Sequence, residues 1–163
     1  MTKSLHLQEV LDLDLLTLQA HTEQAGDRLD AARWRETLAQ SLAVSEVAVV
    51  RRGGVLVGYA MMQPRAEPGL WFVTGFNTHP AHRHGVVVRA LLQQLLAIAH
   101  RRGIVTLQSH VYKTNRLSMA FHARLGFAIT RENDKGVEFT ASVAELVAAA
   151  AGKTSASLAA RRR

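Results

Sequence analysis

His79, His82 and His84 stand within six residues, with Arg83 among them. The stretch they open, "HPAHRHGVVVRALLQQLL", passes directly into helical spacing. A helix N-terminus leaves backbone N–H groups unpaired and carries a partial positive charge, so it attracts phosphate. Arg83 and Arg89 add full charges. Val86, Val87 and Val88 stand where a phosphate loop usually wants glycine, and a branched Cβ holds a ligand further from the backbone. The three imidazoles suit zinc or nickel by chemistry. No carboxylate or fourth histidine lies close in sequence to complete a shell, so no metal is expected. Further on, "NRLSMAFHARLGF" holds His122, whose ring titrates near neutrality and can move a proton. In the same stretch Asn115 reads as a helix N-cap and Gly126 as a helix stop.

Elements must position these residues. "SLHLQEV", residues 4–10, alternates and reads as a first strand; "DLDLLTLQAHTEQ" then reads as a helix capped by Asp12 or Asp14. A second helix starts at Asp30, with Trp34, Leu38 and Leu42 on one face. Two β-rich runs flank Gly53-Gly54, a hairpin signal because both turn residues can take positive φ. "LWFVTGFNTH" is the fourth expected strand, and Gly75 inside it marks a bulge or a close backbone approach. A helix over about 86–102 follows, stopped by Gly103. "IVTLQSHV" is the fifth strand. A short helix and two strands around "NDKG" come next, then an alanine-rich helix or frayed tail from Ala144 to Ala151. The order is β-α-α-β-β-β-α-β-α-β-β. It implies a mixed α/β sheet of about seven strands with a central β-α-β crossover.

The 163 residues suit one domain over 1–151, followed by a basic C-terminal tail, 152–163, expected to be flexible. Apolar residues make up 48% and charged residues 20%, which reads as soluble and globular. With no cysteine, disulfides, thiolate metal sites and a cysteine nucleophile are excluded together. No apolar run approaches a membrane span and no secretory signal is visible, so a cytoplasmic protein without a membrane partner is expected. Lys153 and Arg161 to Arg163 supply four of the seven net positive charges. The body is then only mildly basic, which suits an anionic ligand and argues against nucleic acid. No dinucleotide, triphosphate or serine-hydrolase motif is present.

This order of elements, with a loop-to-helix turn after the fourth strand, resembles the GNAT superfamily of acetyl-CoA-dependent N-acetyltransferases. Two segments carry the likeness. In "THPAHRHGVVVRALL", Pro80, Arg83, Leu91 and Leu92 fall in register with the family pattern, and Val86 and Val88 replace its glycines. In "NRLSMAFHARLGF", Asn115, Ser118, Gly126 and Phe127 fall in register. His122 takes the place of the usual tyrosine.

The resemblance implies a cleft between the fourth and fifth strands for acetyl-CoA, the acyl donor. It implies that Arg83, His84, Gly85, Val86, Val87 and Val88 hold the diphosphate. Backbone groups at Phe76, Asn77 and Thr78, with Asn115 and Ser118, hold the pantetheine arm, and the N–H of Asn77 or Thr78 faces the thioester oxygen. His122 is then the acid for the departing thiolate. Imidazolium, with a pKa of about 6.5, is a stronger acid than tyrosine at about 10, but little of it exists at neutral pH. The fourth strand lacks the carboxylate many relatives use as a base, which leaves His79, His110, Glu67 or a water chain. The implied acceptor is a primary amine, on a small molecule or a protein, bound by the first two helices and the last hairpin. A homodimer is implied by analogy alone. The valine loop, the absent tyrosine and the absent carboxylate leave an alternative open: a non-catalytic CoA-binding sensor of the same fold.

Overall fold

The alternation of Leu5 and Leu7 with polar neighbours is short, and Val10, Leu11 and Leu13 continue it at helical spacing. The structure, a computed structural model, describes residues 5–83 and 85–160, the last eight as backbone only. In it the expected first strand is absent: α1 runs Leu7–Gln24. Its N-cap is His6, whose N–H donates to the Glu9 carboxylate at 3.4 Å. Asp12 and Asp14, expected as caps, lie inside the helix; Asp14 faces inward and is fully buried. α2, Ala31–Val44, starts where expected, because the Asp30 carboxylate accepts from Arg33 N at 3.0 Å.

β1 (Glu46–Arg52) and β2 (Val55–Pro64) form the expected hairpin, with Gly53 and Gly54 at φ 55° and 79°. From the end of β1, Arg51 reaches α1, pairing with Glu9 at 2.7 Å. β3 (Leu70–Thr78), a short 3-10 turn (Pro80–His82), α3 (Gly85–Arg102) and β4 (Thr106–Tyr112) form the crossover. α4 (Arg116–Leu125), β5 (Ala128–Glu132), β6 (Gly136–Ser142) and α5 (Val143–Ala160) complete the described chain. The sheet has six strands, not about seven, in the order β1-β2-β3-β4-β6-β5. Among the described residues only β3 and β4 pair in parallel. No helix among the described residues is long and apolar enough to cross a membrane.

Side-chain alternation gives each face of the sheet its own cover. Ala60, Met62, Trp71, Val73 and Leu107 pack under α3 through Val87, Leu91, Leu95 and Ile98, with Val143 and Leu146 of α5 beside them. Val111, on the Leu107 side of β4, joins Val137 and Phe139 against Met119 of α4, so α3 and α4 share a face. Tyr59 and Met61 point the other way, into α1 and α2.

Candidate functional site

β3 and β4 pair only over Leu70–Val73 and Thr106–Ser109; beyond them the strands part. These are the fourth and fifth strands expected from sequence, and the cleft expected between them is here. The cause is local. Met61 faces Gly75 while Met62 faces Val73, so Thr74 is an extra residue, and such a bulge bends its strand. Gly75 beside it meets the second expectation too. A Cβ there would lie 2.8 Å from the Tyr59 ring.

The bulge also decides which backbone groups face the gap. His79 N donates to Val57 O at 2.8 Å, which makes that pair a hydrogen-bonded one. By antiparallel alternation Asn77–Tyr59 is another, whereas Phe76 and Thr78 direct their N–H and C=O groups away from β2, to the parted side. Of the two amides offered for the thioester oxygen, Asn77's therefore belongs to the sheet ladder, and Thr78's faces the gap.

Both parallel strands run to the same edge, and each ends at a helix N-terminus. At α3, Val87 is buried against β2, where a Cβ on Gly58 would sit 3.0 Å from it. Val86 is 62% exposed, Gly85 is open and Arg83 is exposed, so the first turn of α3 is not packed shut. His84 lies outside the described residues. His79 and His82 stack edge-on with centroids 5.5 Å apart, and His79 Nδ1 accepts from Ala81 N.

At α4, Asn115 is the N-cap: its Oδ1 accepts from Ser118 N at 3.1 Å, which leaves Nδ2 to donate. His122 is buried, stacked on Phe139 at 4.8 Å and flanked by Phe127 at 5.1 Å. Its Nδ1 lies 2.8 Å from Ser118 O; a carbonyl only accepts, so Nδ1 carries the hydrogen. Burial pushes the pKa of the ring below its ordinary value, with the Ser118 bond opposing. The ring is then neutral at pH 7, with a bare lone pair on Nε2. Phe121, one residue back, touches Phe76 across the mouth of the gap at 5.2 Å.

The opposite face carries Asp14, expected only as a helix cap, and His110, one of the candidate bases. Asp14 accepts from Tyr59 OH, from Trp34 Nε1 at 2.9 Å and from Asn77 Nδ2 at 3.1 Å. Burial pushes its carboxyl up, and those three bonds work against the rise. His110 is the first residue past the last β3–β4 pair. Its Nε2 lies 3.2 Å from Glu138, and Phe72 sits edge-on to it at 4.7 Å. Burial opposes ionisation of Glu138, but hydrogen bonds from His110 and Thr130 hold its pKa below the usual range. This pair lines an open groove of about 650 Å³ with Asp27, Tyr112, Arg131 and Lys135. Asp27, in the α1–α2 turn, accepts from Lys135 and from Tyr112 OH at 2.8 Å; both bonds hold its carboxyl down. Glu67 lies before β3, at the strand end away from the gap.

Residues 8–127 match the Acetyltransferase (GNAT) family. The chain belongs to that family. Its fold is similar to the PaiA N-acetyltransferase from Thermoplasma acidophilum in complex with coenzyme A, with TM-score 0.69 and 14% identity over 83% of this chain and 92% of that one. It is also similar to the ribosomal-protein-S18-alanine N-acetyltransferase from Escherichia coli, with TM-score 0.64 and 15% identity over 86% and 92%. YncA from Salmonella typhimurium, a putative acetyltransferase solved with acetyl-CoA, gives TM-score 0.58 and 21% identity over 84% and 86%. Among curated proteins no sequence match is found.

This GNAT chain thus gathers Phe76, Thr78, Arg83, Gly85, Val86, Asn115, Ser118 and His122 around one parted pair of strands. The Val87 side chain and the Asn77 amide turn elsewhere. The buried role of Asp14 was missed because the sequence read it as a helix cap. The signal that could have found it is its spacing with Val10, Thr17 and His21, a helix face too polar in part to be plain core.

Proposed function

We propose that the chain transfers an acetyl group from acetyl-CoA to a primary amine, by direct attack within a ternary complex. The parted β3–β4 edge beside the open N-terminus of α3 carries this reading. It offers unpaired backbone groups along a slot and a positive helix end beside it, which together suit a pantetheine arm and a diphosphate. Two of the similar structures hold coenzyme A or acetyl-CoA, which supports it. Acetyl-CoA supplies the activated acyl group. Arg83, His84 and the amides of residues 85–88 hold the diphosphate. Phe76 and Thr78 hold the arm by backbone, with Asn115 donating through Nδ2. The Thr78 N–H faces the thioester oxygen, where negative charge develops. The amine arrives from the α1 face, and His110, oriented by Glu138, takes its proton. His122 must be protonated before it can give a proton to the thiolate.

The neutral state of His122 favours a second reading, in which the chain binds CoA and reports it without transfer. Calorimetry with acetyl-CoA, followed by free-thiol release with a panel of primary amines, separates the two. Binding with turnover supports transfer, and His110→Ala should then cost about 100-fold in kcat. Binding with no release across the panel supports the sensor. No binding at millimolar acetyl-CoA overturns both.

A further inference from the structure

The side chain of Asn77 has only one orientation open to it. Its Nδ2 has two hydrogens, and both are engaged, one by Asp14 Oδ1 and one by Thr17 Oγ1. The hydroxyl hydrogen of Thr17 already goes to the Leu13 carbonyl at 2.9 Å, so Thr17 can only accept from Asn77. Turning the amide over would set Asn77 Oδ1 against that acceptor. Oδ1 must therefore point the other way. No donor among the described residues reaches it, and it is not among the fully buried polar atoms that lack a partner. It is an acceptor of fixed direction, without a partner and not fully shut off from solvent.

Its position matters as much as its direction. Asn77 lies on β3 four residues past the last β3–β4 pair, on the α1 face. α1 crosses the gap there. Asp14 and Thr17 hold β3, and one turn later the His21 carbonyl accepts from Thr114 Oγ1, beyond β4, at 2.7 Å. Asn77, which carries the free Oδ1, thus borders the gap on the α1 face, the face assigned above to the incoming amine.

We infer that Asn77 Oδ1 is the group that selects the acceptor, by holding an N–H of the attacking nitrogen, with Thr17 and Asp14 as its positioning residues. The inference rests on the acetyl-transfer reading. A primary amine that attacks with its lone pair has two hydrogens. One leaves as the amide forms, and the other stays on nitrogen, where Oδ1 holds it. Oδ1 of an amide is not basic enough to take the leaving proton, so it binds and does not act as base. A secondary amine or an alcohol has one hydrogen, which must leave, and nothing remains for Oδ1. Once a bound acceptor shuts Oδ1 from water, leaving it unpaired costs more than a good bond gains, which makes the discrimination steep.

The experiment compares kcat/KM for butylamine and N-methylbutylamine, by thiol release, in the wild type, Asn77→Leu and Thr17→Val. Leucine fills the same space and removes the acceptor. The expected result is a fall of about 10- to 100-fold for butylamine with Asn77→Leu. N-methylbutylamine should change little, so that the ratio collapses, and the KM for acetyl-CoA should hold. Thr17→Val should give a smaller shift in the same direction. Misfolded enzyme lowers both rates together and leaves the ratio alone, so lost stability cannot mimic the result. Turnover with an unchanged ratio overturns the role of Asn77 alone; no turnover of any amine overturns it together with the transfer reading.

Discussion

The surroundings of His122, the residue that the sequence resemblance puts in the place of a tyrosine, set the direction of its pH dependence. Burial among Phe127 and Phe139 lowers its pKa from about 6.5, so the protonated ring is scarce above that pH. If it is the acid for the thiolate, kcat should fall as pH rises through the lowered value, and His122→Tyr should move that fall toward pH 10, where a phenol loses its proton. A profile identical in both proteins would remove the role. The same shift acts on stability. The folded pKa lies below the unfolded one, so this contribution is complete above about pH 6.5 and is lost as pH falls through the folded value. The melting temperature of the wild type should therefore decline on the acid side of pH 6.5 more than that of His122→Phe. Asn115 and Gly126 were legible as cap and stop because capping chemistry is local. The partners of His122 were not, since Phe139 lies on another strand and no spacing connects the two.

At the scale of elements, local signals were read correctly where a single residue decides. Asp30, Gly53-Gly54, Gly103 and Gly126 each end or begin an element where expected. The first strand failed because a short alternation over Leu5 and Leu7 cannot outweigh a long helical run that follows without a break. Gly75 marked the bulge, but only the register shows that Thr74 is the extra residue and that Gly75 makes room for Tyr59. This separates two glycines that look alike in sequence. Gly75→Ala should cost about 1–3 kcal/mol in a urea melt, because the Tyr59 ring cannot move without leaving Asp14. Gly85→Ala meets nothing within 4 Å and should stay within about 0.5 kcal/mol of the wild type. Equal losses at the two sites would mean that Tyr59 does not lie over Gly75.

Across the whole molecule, one arm holds α1, α2 and β1–β3, and the other holds β4, α4, β5 and β6. The sheet joins them through a single short parallel pairing, Leu70–Val73 against Thr106–Ser109. Asp27 to Tyr112 and Lys135, and His21 to Thr114, tie the arms on one face. A ligand seated between the strands supplies the pairing the sheet lacks. Acetyl-CoA at 100 times its Kd should then stabilise the fold by about 2.7 kcal/mol. Amide exchange locates the effect. Without ligand, Phe76 and Thr78 should exchange fast, because their N–H groups face the gap, while Asn77 and His79 are protected by β2. With acetyl-CoA bound, Phe76 and Thr78 should slow and the other two should barely change. If all four amides slow alike, the ligand tightens the whole arm and does not complete the strand; if none does, it is seated elsewhere. The alternation behind this contrast follows from one extra residue at Thr74: without it Phe76 would face Tyr59, Thr78 would face Val57, and the two pairs of amides would exchange.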